Sequence, residues 1–113
     1  MHVASGKENT QAAAVMSASE FPHLLSPLKV GPRTLRNRVL VTAHVPRIAD
    51  NGVPGDRYVA YHRAKARGGV AMQITGATPV HRSSDLGSPD ALANIDDRII
   101  PGYQRLAEAV HQE

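Results

Sequence analysis

The sequence contains no cysteine. The chain therefore has no disulfide framework and no thiolate ligand for zinc or for an iron–sulfur cluster. It also lacks any run of about 18 apolar residues, and its start lacks the charged region and compact apolar stretch of a secretory signal. We therefore expect no membrane partner and a soluble, cytoplasmic protein.

The composition is that of a globular chain with one modest core. Hydrophobic residues make up 42% and charged residues 20% of the 113 residues, and neither share is that of a disordered protein. Residues 1–20 are rich in alanine, serine and small polar types and contain no phenylalanine, tyrosine or tryptophan, so they offer little to bury. We predict a disordered leader over residues 1–20 and one folded domain over residues 21–113.

The chain is basic, with a net charge of +3 and a pI of about 9.7. Its 13 lysines and arginines are scattered along the sequence. Arg63, Lys65 and Arg67 fall on one predicted helix, a pattern more typical of a solvated helix face than of a phosphate-binding stripe. A basic module that binds nucleic acid or an acidic partner, with steeply salt-dependent affinity, is kept as the alternative hypothesis.

The first predicted elements are a hairpin and a buried strand. Gly31-Pro32-Arg33 is flanked by Leu28-Lys29-Val30 and by Thr34-Leu35, and glycine and proline favour a tight turn between two short strands. Residues 38–42 are rich in β-branched and apolar side chains, which is typical of a strand buried on both faces of a parallel sheet. A long loop with several turn signals follows over residues 43–55.

The first predicted helix spans residues 57–67. Asp56 is its expected cap, and the glycine pair after Arg67 is expected to end it. The positions expected on its buried face recur at three- and four-residue steps: Tyr58, Tyr61, and Ala64 or Lys65.

A second strand is predicted over residues 70–75, followed by another loop and a second helix. That helix begins behind Asp96 and Asp97, tolerates Pro101 in its first turn, and is the most regular amphipathic pattern in the chain. The order is hairpin, strand, helix, strand, helix, the alternation that builds parallel α/β sheets. Because two strands do not complete such a sheet, we expect an interrupted protein.

Four separated segments together resemble the N-terminal part of the Old Yellow Enzyme family of FMN-dependent NADH:flavin oxidoreductases. They are the entry segment over residues 21–31, the Leu35-x-Asn37-Arg38-Val39 motif, the helix end over residues 61–70, and residues 100–111. Asn37-Arg38 ahead of a buried strand is the most diagnostic of these motifs. The closest branch is the one with 2,4-dienoyl-CoA reductase, trimethylamine dehydrogenase and N-methylproline demethylase-like proteins.

The resemblance implies an α/β fold, here the N-terminal portion of a (β/α)8 TIM barrel. It implies FMN as cofactor, NAD(P)H as the electron donor of the complete enzyme, and a small-molecule substrate. In such barrels the active site lies at the C-terminal ends of the strands. The resemblance places the flavin against the chain just after the first strand, which maps onto Thr42, Ala43 and His44, with Gly76 as the neighbour after the second strand. It assigns no catalytic residue to this stretch.

Other interpretations of these residues are weaker. His44 and His81 both follow predicted strands, but no third metal ligand accompanies them at a recognised spacing, so we expect no metal site. The glycines do not form a dinucleotide-binding fingerprint. We expect the chain alone to be inactive, and its partner to be the remainder of the barrel, supplied by another chain, or a second copy of itself.

Overall fold

The computed structural model describes residues 20–84 and 88–113. Apart from Glu20, the predicted leader therefore lies outside the described residues. None of the helices in the described ranges is long and apolar enough to span a bilayer.

The predicted hairpin is confirmed. Strands β1 (Leu28–Val30) and β2 (Arg33–Leu35) pair antiparallel, and Val30 opposite Arg33 closes the ladder. Gly31 has a φ of 55°, a left-handed conformation that glycine adopts without the steric penalty of a Cβ.

Two parallel strands lie at the centre of the remaining structure. Strand β3 (Leu40–Val41) pairs with β4 (Met72–Gln73), with Leu40 opposite Met72. Both strands are shorter than the predicted ranges 38–42 and 70–75. The prediction that the first strand is buried on both faces is wrong for this chain, because Leu40 is 42% exposed. Within the described residues, each of the two strands has one neighbour in this sheet, and Met72 is 37% exposed as well.

Helix α1 (Asp56–Arg67) connects β3 to β4. The prediction that Asp56 caps this helix is wrong: Gly55 occupies the cap position without a side-chain bond, and the Asp56 carboxylate accepts a hydrogen bond from Arg105 at 3.1 Å. The glycine pair does end the helix, since the Gly68 N–H donates to the carbonyl of Ala64. Its buried residues are spaced four apart: Tyr58, His62 and Ala66.

The core lies between α1 and α2 (Ile100–His111), which is preceded by one 3-10 turn over Asp97–Ile99. Asp96 caps that turn by accepting a hydrogen bond from the backbone N–H of Arg98 at 3.2 Å. The buried cluster consists of Tyr58, Leu92, Ile99 and Leu106. A Cβ on Gly102 would lie 2.6 Å from a ring carbon of Pro54, so glycine lets α2 approach the chain that enters α1.

Candidate functional site

The carboxyl ends of β3 and β4 meet at one edge. The chain leaving β3 passes Thr42, Ala43 and His44, and the chain leaving β4 reaches Gly76 three residues later. A Cβ added to Gly76 would lie 2.2 Å from the carbonyl oxygen of His44. No side chain fits that space, so glycine is required for the two strand ends to touch. The structure thus brings together all four residues named from the sequence.

Thr42 and Ala43 are exposed at the end of β3. Within the described residues, neither their backbone nor the Thr42 hydroxyl makes a hydrogen bond. Backbone N–H and C=O groups in this state are available to a ligand that approaches the strand end.

His44 is held from the side by helix α1. Its Nε2 atom forms a hydrogen bond with the hydroxyl of Tyr61, and the two rings meet edge to face with centroids 5.7 Å apart. Lys65 donates from Nζ to the same hydroxyl at 2.5 Å and lies 4.0 Å from the centre of the Tyr61 ring. Sequence reasoning missed this contact, because it considered Lys65 only as part of a solvated face or as an alternative to Ala64 on the buried face of α1. The four-residue spacing of Tyr61 and Lys65 on one helix was the signal that pointed to it.

A second histidine, His62, lies on the buried side of the same helix. Its Nδ1 is 2.9 Å from Oε1 of Gln73, whose amide nitrogen donates to the His62 carbonyl at 3.0 Å. Because Oε1 only accepts, Nδ1 carries the proton. Burial lowers the pKa of His62, with the Gln73 bond opposing the change, and so favours the neutral ring. Its Nε2 is buried and has no hydrogen-bond partner in the described residues.

Tyr58 lies beside His62, with ring centroids 4.7 Å apart. Burial raises the pKa of its hydroxyl to about 12. The nearby backbone of Gly76 opposes this rise. The contact between Gly76 and the Tyr58 hydroxyl does not have the geometry of a hydrogen bond, and the hydroxyl has no partner in the described part of the chain.

The other histidine considered as a metal ligand, His81, bonds to its own loop. Its Nδ1 lies 2.8 Å from the hydroxyl of Ser83, and it shares no partner with His44. Within residues 20–84 and 88–113, no three histidine, aspartate or glutamate side chains converge.

Several of the basic side chains are paired with acids. Arg63 and Arg67 both contact the Glu113 carboxylate, at 2.6 and 3.1 Å, and these hydrogen bonds lower the pKa of that carboxyl. Arg98 contacts Asp96 at 2.9 Å. The positive charge is therefore divided among separate ion pairs.

Residues 23–113 match the model of the NADH:flavin oxidoreductase / NADH oxidase family. The chain belongs to this family. Its relatives include a probable N-methylproline demethylase of Rhizobium meliloti strain 1021, 43% identical over 91 residues, which are 80% of this chain and 13% of that protein. An N,N-dimethylglycine/sarcosine dehydrogenase of Chromohalobacter salexigens is 40% identical over 94 residues, which are 81% of this chain and 14% of that protein.

The solved structure of morphinone reductase in complex with tetrahydroNAD aligns with this member of the flavin oxidoreductase family at a TM-score of 0.70 and 26% identity. The alignment covers 80% of this chain and 24% of that one. The fold is therefore the N-terminal portion of a (β/α)8 barrel, as predicted from the sequence. With two parallel strands paired, no closed barrel is present in the described residues. The chain spans about one seventh of the length of the two relatives named above.

Proposed function

We propose that this chain is the N-terminal part of an FMN-dependent oxidoreductase of the Old Yellow Enzyme type and is inactive by itself. One observation carries the proposal. The ends of two adjacent parallel strands meet at His44 and Gly76. Thr42 and Ala43 lie beside them with a backbone that has no partner in the described part of the chain, and the family of this chain is named for flavin oxidoreduction.

The residues at this edge fit a flavin. Thr42 and Ala43 offer backbone N–H and C=O groups and small side chains, so a flat ring can approach closely and bond along its edge. Both residues are exposed. Bound FMN supplies the redox chemistry, and the protein supplies binding, orientation and electrostatics. We assign these roles to Thr42, Ala43, His44 and Gly76, and we assign no catalytic residue to the chain.

NAD(P)H is the proposed electron donor, supported by the nicotinamide analogue bound to morphinone reductase. The names of the two bacterial relatives favour a second candidate reaction, the oxidation of an N-methylated amino acid with transfer of the electrons to the flavin. Steady-state assays of the full-length protein with NADH plus an enone, and separately with N-methylproline, distinguish the two. A cytoplasmic location is part of this proposal, because reduced nicotinamide cofactors are used inside the cell.

A bulky side chain at Ala43 tests the flavin site. In the full-length protein that carries this chain, Ala43→Leu would occupy the space used by the flavin edge. We expect the Kd for FMN to rise at least about tenfold, equivalent to about 1.4 kcal/mol, measured by quenching of flavin fluorescence. Ala60→Leu, an equal change at an exposed position of α1, should leave the Kd unchanged. Equal Kd values for both variants would refute the assignment.

The inactivity of the isolated chain is tested by complementation. A barrel of this type needs about 200 residues or more, so the 113-residue chain should neither retain FMN nor oxidise NADH. Mixing it with a second chain that carries the remaining barrel strands should restore bound flavin. Enzyme-like turnover by the 113-residue chain alone would contradict the proposal.

The alternative of a nucleic-acid-binding module receives little support from the surface. Arg63, Arg67 and Arg98 are each within 3.1 Å of a carboxylate, which leaves less free positive charge for phosphates. A fluorescence anisotropy titration with single- and double-stranded DNA at low salt checks this, and we expect no binding.

A further inference from the structure

The three side chains of His44, Tyr61 and Lys65 form a continuous hydrogen-bonded chain from helix α1 to the strand end. Lys65 Nζ bonds to the Tyr61 hydroxyl at 2.5 Å, and that hydroxyl bonds to Nε2 of His44. Tyr61 is also packed against the His62 ring, edge to face, with centroids 5.1 Å apart. This packing and the lysine fix the position of the hydroxyl.

The direction of these hydrogen bonds follows from the donors available. A lysine ammonium has three donors and no acceptor, so the Tyr61 oxygen must accept from Lys65. The hydroxyl of Tyr61 uses its own proton when it donates to Nε2 of His44. In that arrangement Nε2 carries no proton, and in the neutral imidazole the proton resides on Nδ1.

We propose that Tyr61 and Lys65 are positioning residues that hold His44 in its Nδ1–H tautomer, so that the strand end presents an N–H donor to an acceptor oxygen. Within the described residues, Nδ1 of His44 has no partner, and the imidazole is exposed beside Ala43. The inference rests on the proposed function for the identity of the acceptor, a carbonyl or carboxylate oxygen of the flavin or of the substrate.

Tyr61 and Lys65 would act by excluding the second tautomer of His44. A free neutral imidazole populates both tautomers, and rotation of the ring exchanges the positions of its donor and acceptor. Anchoring Nε2 on a hydroxyl whose proton direction is set by an ammonium leaves one tautomer and one ring orientation. This is the way an outer partner orients a histidine whose other nitrogen binds a ligand.

The tautomer is measured directly by ¹⁵N NMR of the full-length protein, labelled at the histidine ring nitrogens and stripped of flavin, near neutral pH. His44→Gln identifies the His44 signals. We expect one protonated and one unprotonated ring nitrogen, with the proton on Nδ1. Tyr61→Phe keeps the ring packing but removes the hydroxyl, and it should shift the His44 signals towards the Nε2–H tautomer. Lys65→Met should shift them in the same direction by less.

Tyr58→Phe is the matched control, because it removes a hydroxyl from the same helix that has no partner in the described residues. It should leave the His44 signals unchanged. The proposal is overturned if wild-type His44 carries its proton on Nε2 or on both nitrogens, or if Tyr61→Phe changes nothing.

The source of the acceptor oxygen is read from the same signals. A shift of Nδ1 on loading with FMN assigns it to the flavin, and a shift only after adding N-methylproline to the loaded protein assigns it to the substrate. No shift with either would refute the donor role. A protein that binds no FMN refutes the proposed function instead, and the tautomer measured in the apoprotein is independent of that result.

Discussion

The two layers of this chain differ in how fully they are covered. In the helical layer, Tyr58 and Ile99 are 1% and 2% exposed, whereas in the strand layer Leu40 and Ile74 are 42% and 44% exposed. Helices α1 and α2 bury their apolar surface against each other and the loops between them. The strand pair has large apolar side chains with little to cover them, and in a closed barrel such side chains pack against those of other strands. Stability within this chain therefore comes mainly from the helical layer.

The largest expected effect comes from emptying the helical core. Ile99→Ala should lower the free energy of unfolding by about 2–5 kcal/mol, because it leaves a cavity among buried side chains. Leu40→Ala removes the same number of carbon atoms from the strand layer and should cost less than about 1 kcal/mol, because Leu40 is partly in solvent already. Urea denaturation followed by circular dichroism measures both. Equal losses would abolish the distinction between the layers.

The next largest effect is expected from the hydrogen bond that joins Asn37, before β3, to Gly69, after α1. The buried amide of Asn37 donates to the Gly69 carbonyl at 2.8 Å and accepts from the Val39 N–H at 3.0 Å. Asn37→Ala should lower the unfolding free energy by about 1–3 kcal/mol, because both backbone groups lose their partner. Asn94→Ala, at an exposed position, should change it by no more than about 0.5 kcal/mol. A loss at Asn94 as large as that at Asn37 would show that the bond is unimportant.

A smaller effect appears on acidification. The pKa of His62 is lowered from its usual 6.5 by burial, so the unfolded chain binds a proton at a higher pH than the folded chain does. Stability is therefore complete above about pH 6.5 and falls as the pH drops towards the folded pKa. The urea midpoint should decrease over this range. His62→Gln should flatten the profile, and His111→Gln, at an exposed position of α2, should not.

The smallest effect is expected from Tyr58→Phe. The hydroxyl removed has no hydrogen-bond partner within the described residues, so the unfolding free energy near neutral pH should change by less than about 0.5 kcal/mol. The wild type should lose stability as the pH rises from 10 towards 12, since burial raises the folded pKa of Tyr58 to about 12. Absorbance titration should show a late tyrosine step that the variant lacks.

The element order could be predicted from the sequence, because the β-branched runs and helical spacing are local patterns. The site residues came from the family resemblance, which places the flavin at the carboxyl ends of the strands, and their binding of the flavin stays a prediction. The cap at Asp56 could not be judged in this way. Its carboxylate bonds to Arg105, a residue far along the chain whose position depends on how α2 packs.

The hydrogen-bond partners of His44 also could not be predicted from the sequence. The expected buried face of α1 contained Tyr58, Tyr61, and Ala64 or Lys65. The structure confirms Tyr58 and otherwise buries His62 and Ala66. The rotation of the helix relative to the strand pair decides which residues lie towards the core and which towards the strand end. That rotation is set by packing between elements.

The Asn37 bond has a consequence for the alignment of the two strands. Asn37 and Gly69 are 32 residues apart, and the same offset separates Leu40 from its partner Met72 and His44 from Gly76. The hydrogen bond from the Asn37 side chain to Gly69 thus sets the register before the paired strands begin. The pairing of the strands keeps that register up to their carboxyl ends. A slip of one residue would bring Thr75 or Ala77 against the His44 carbonyl, where no Cβ fits. The register set at the start of the two strands therefore determines which residues meet at the site.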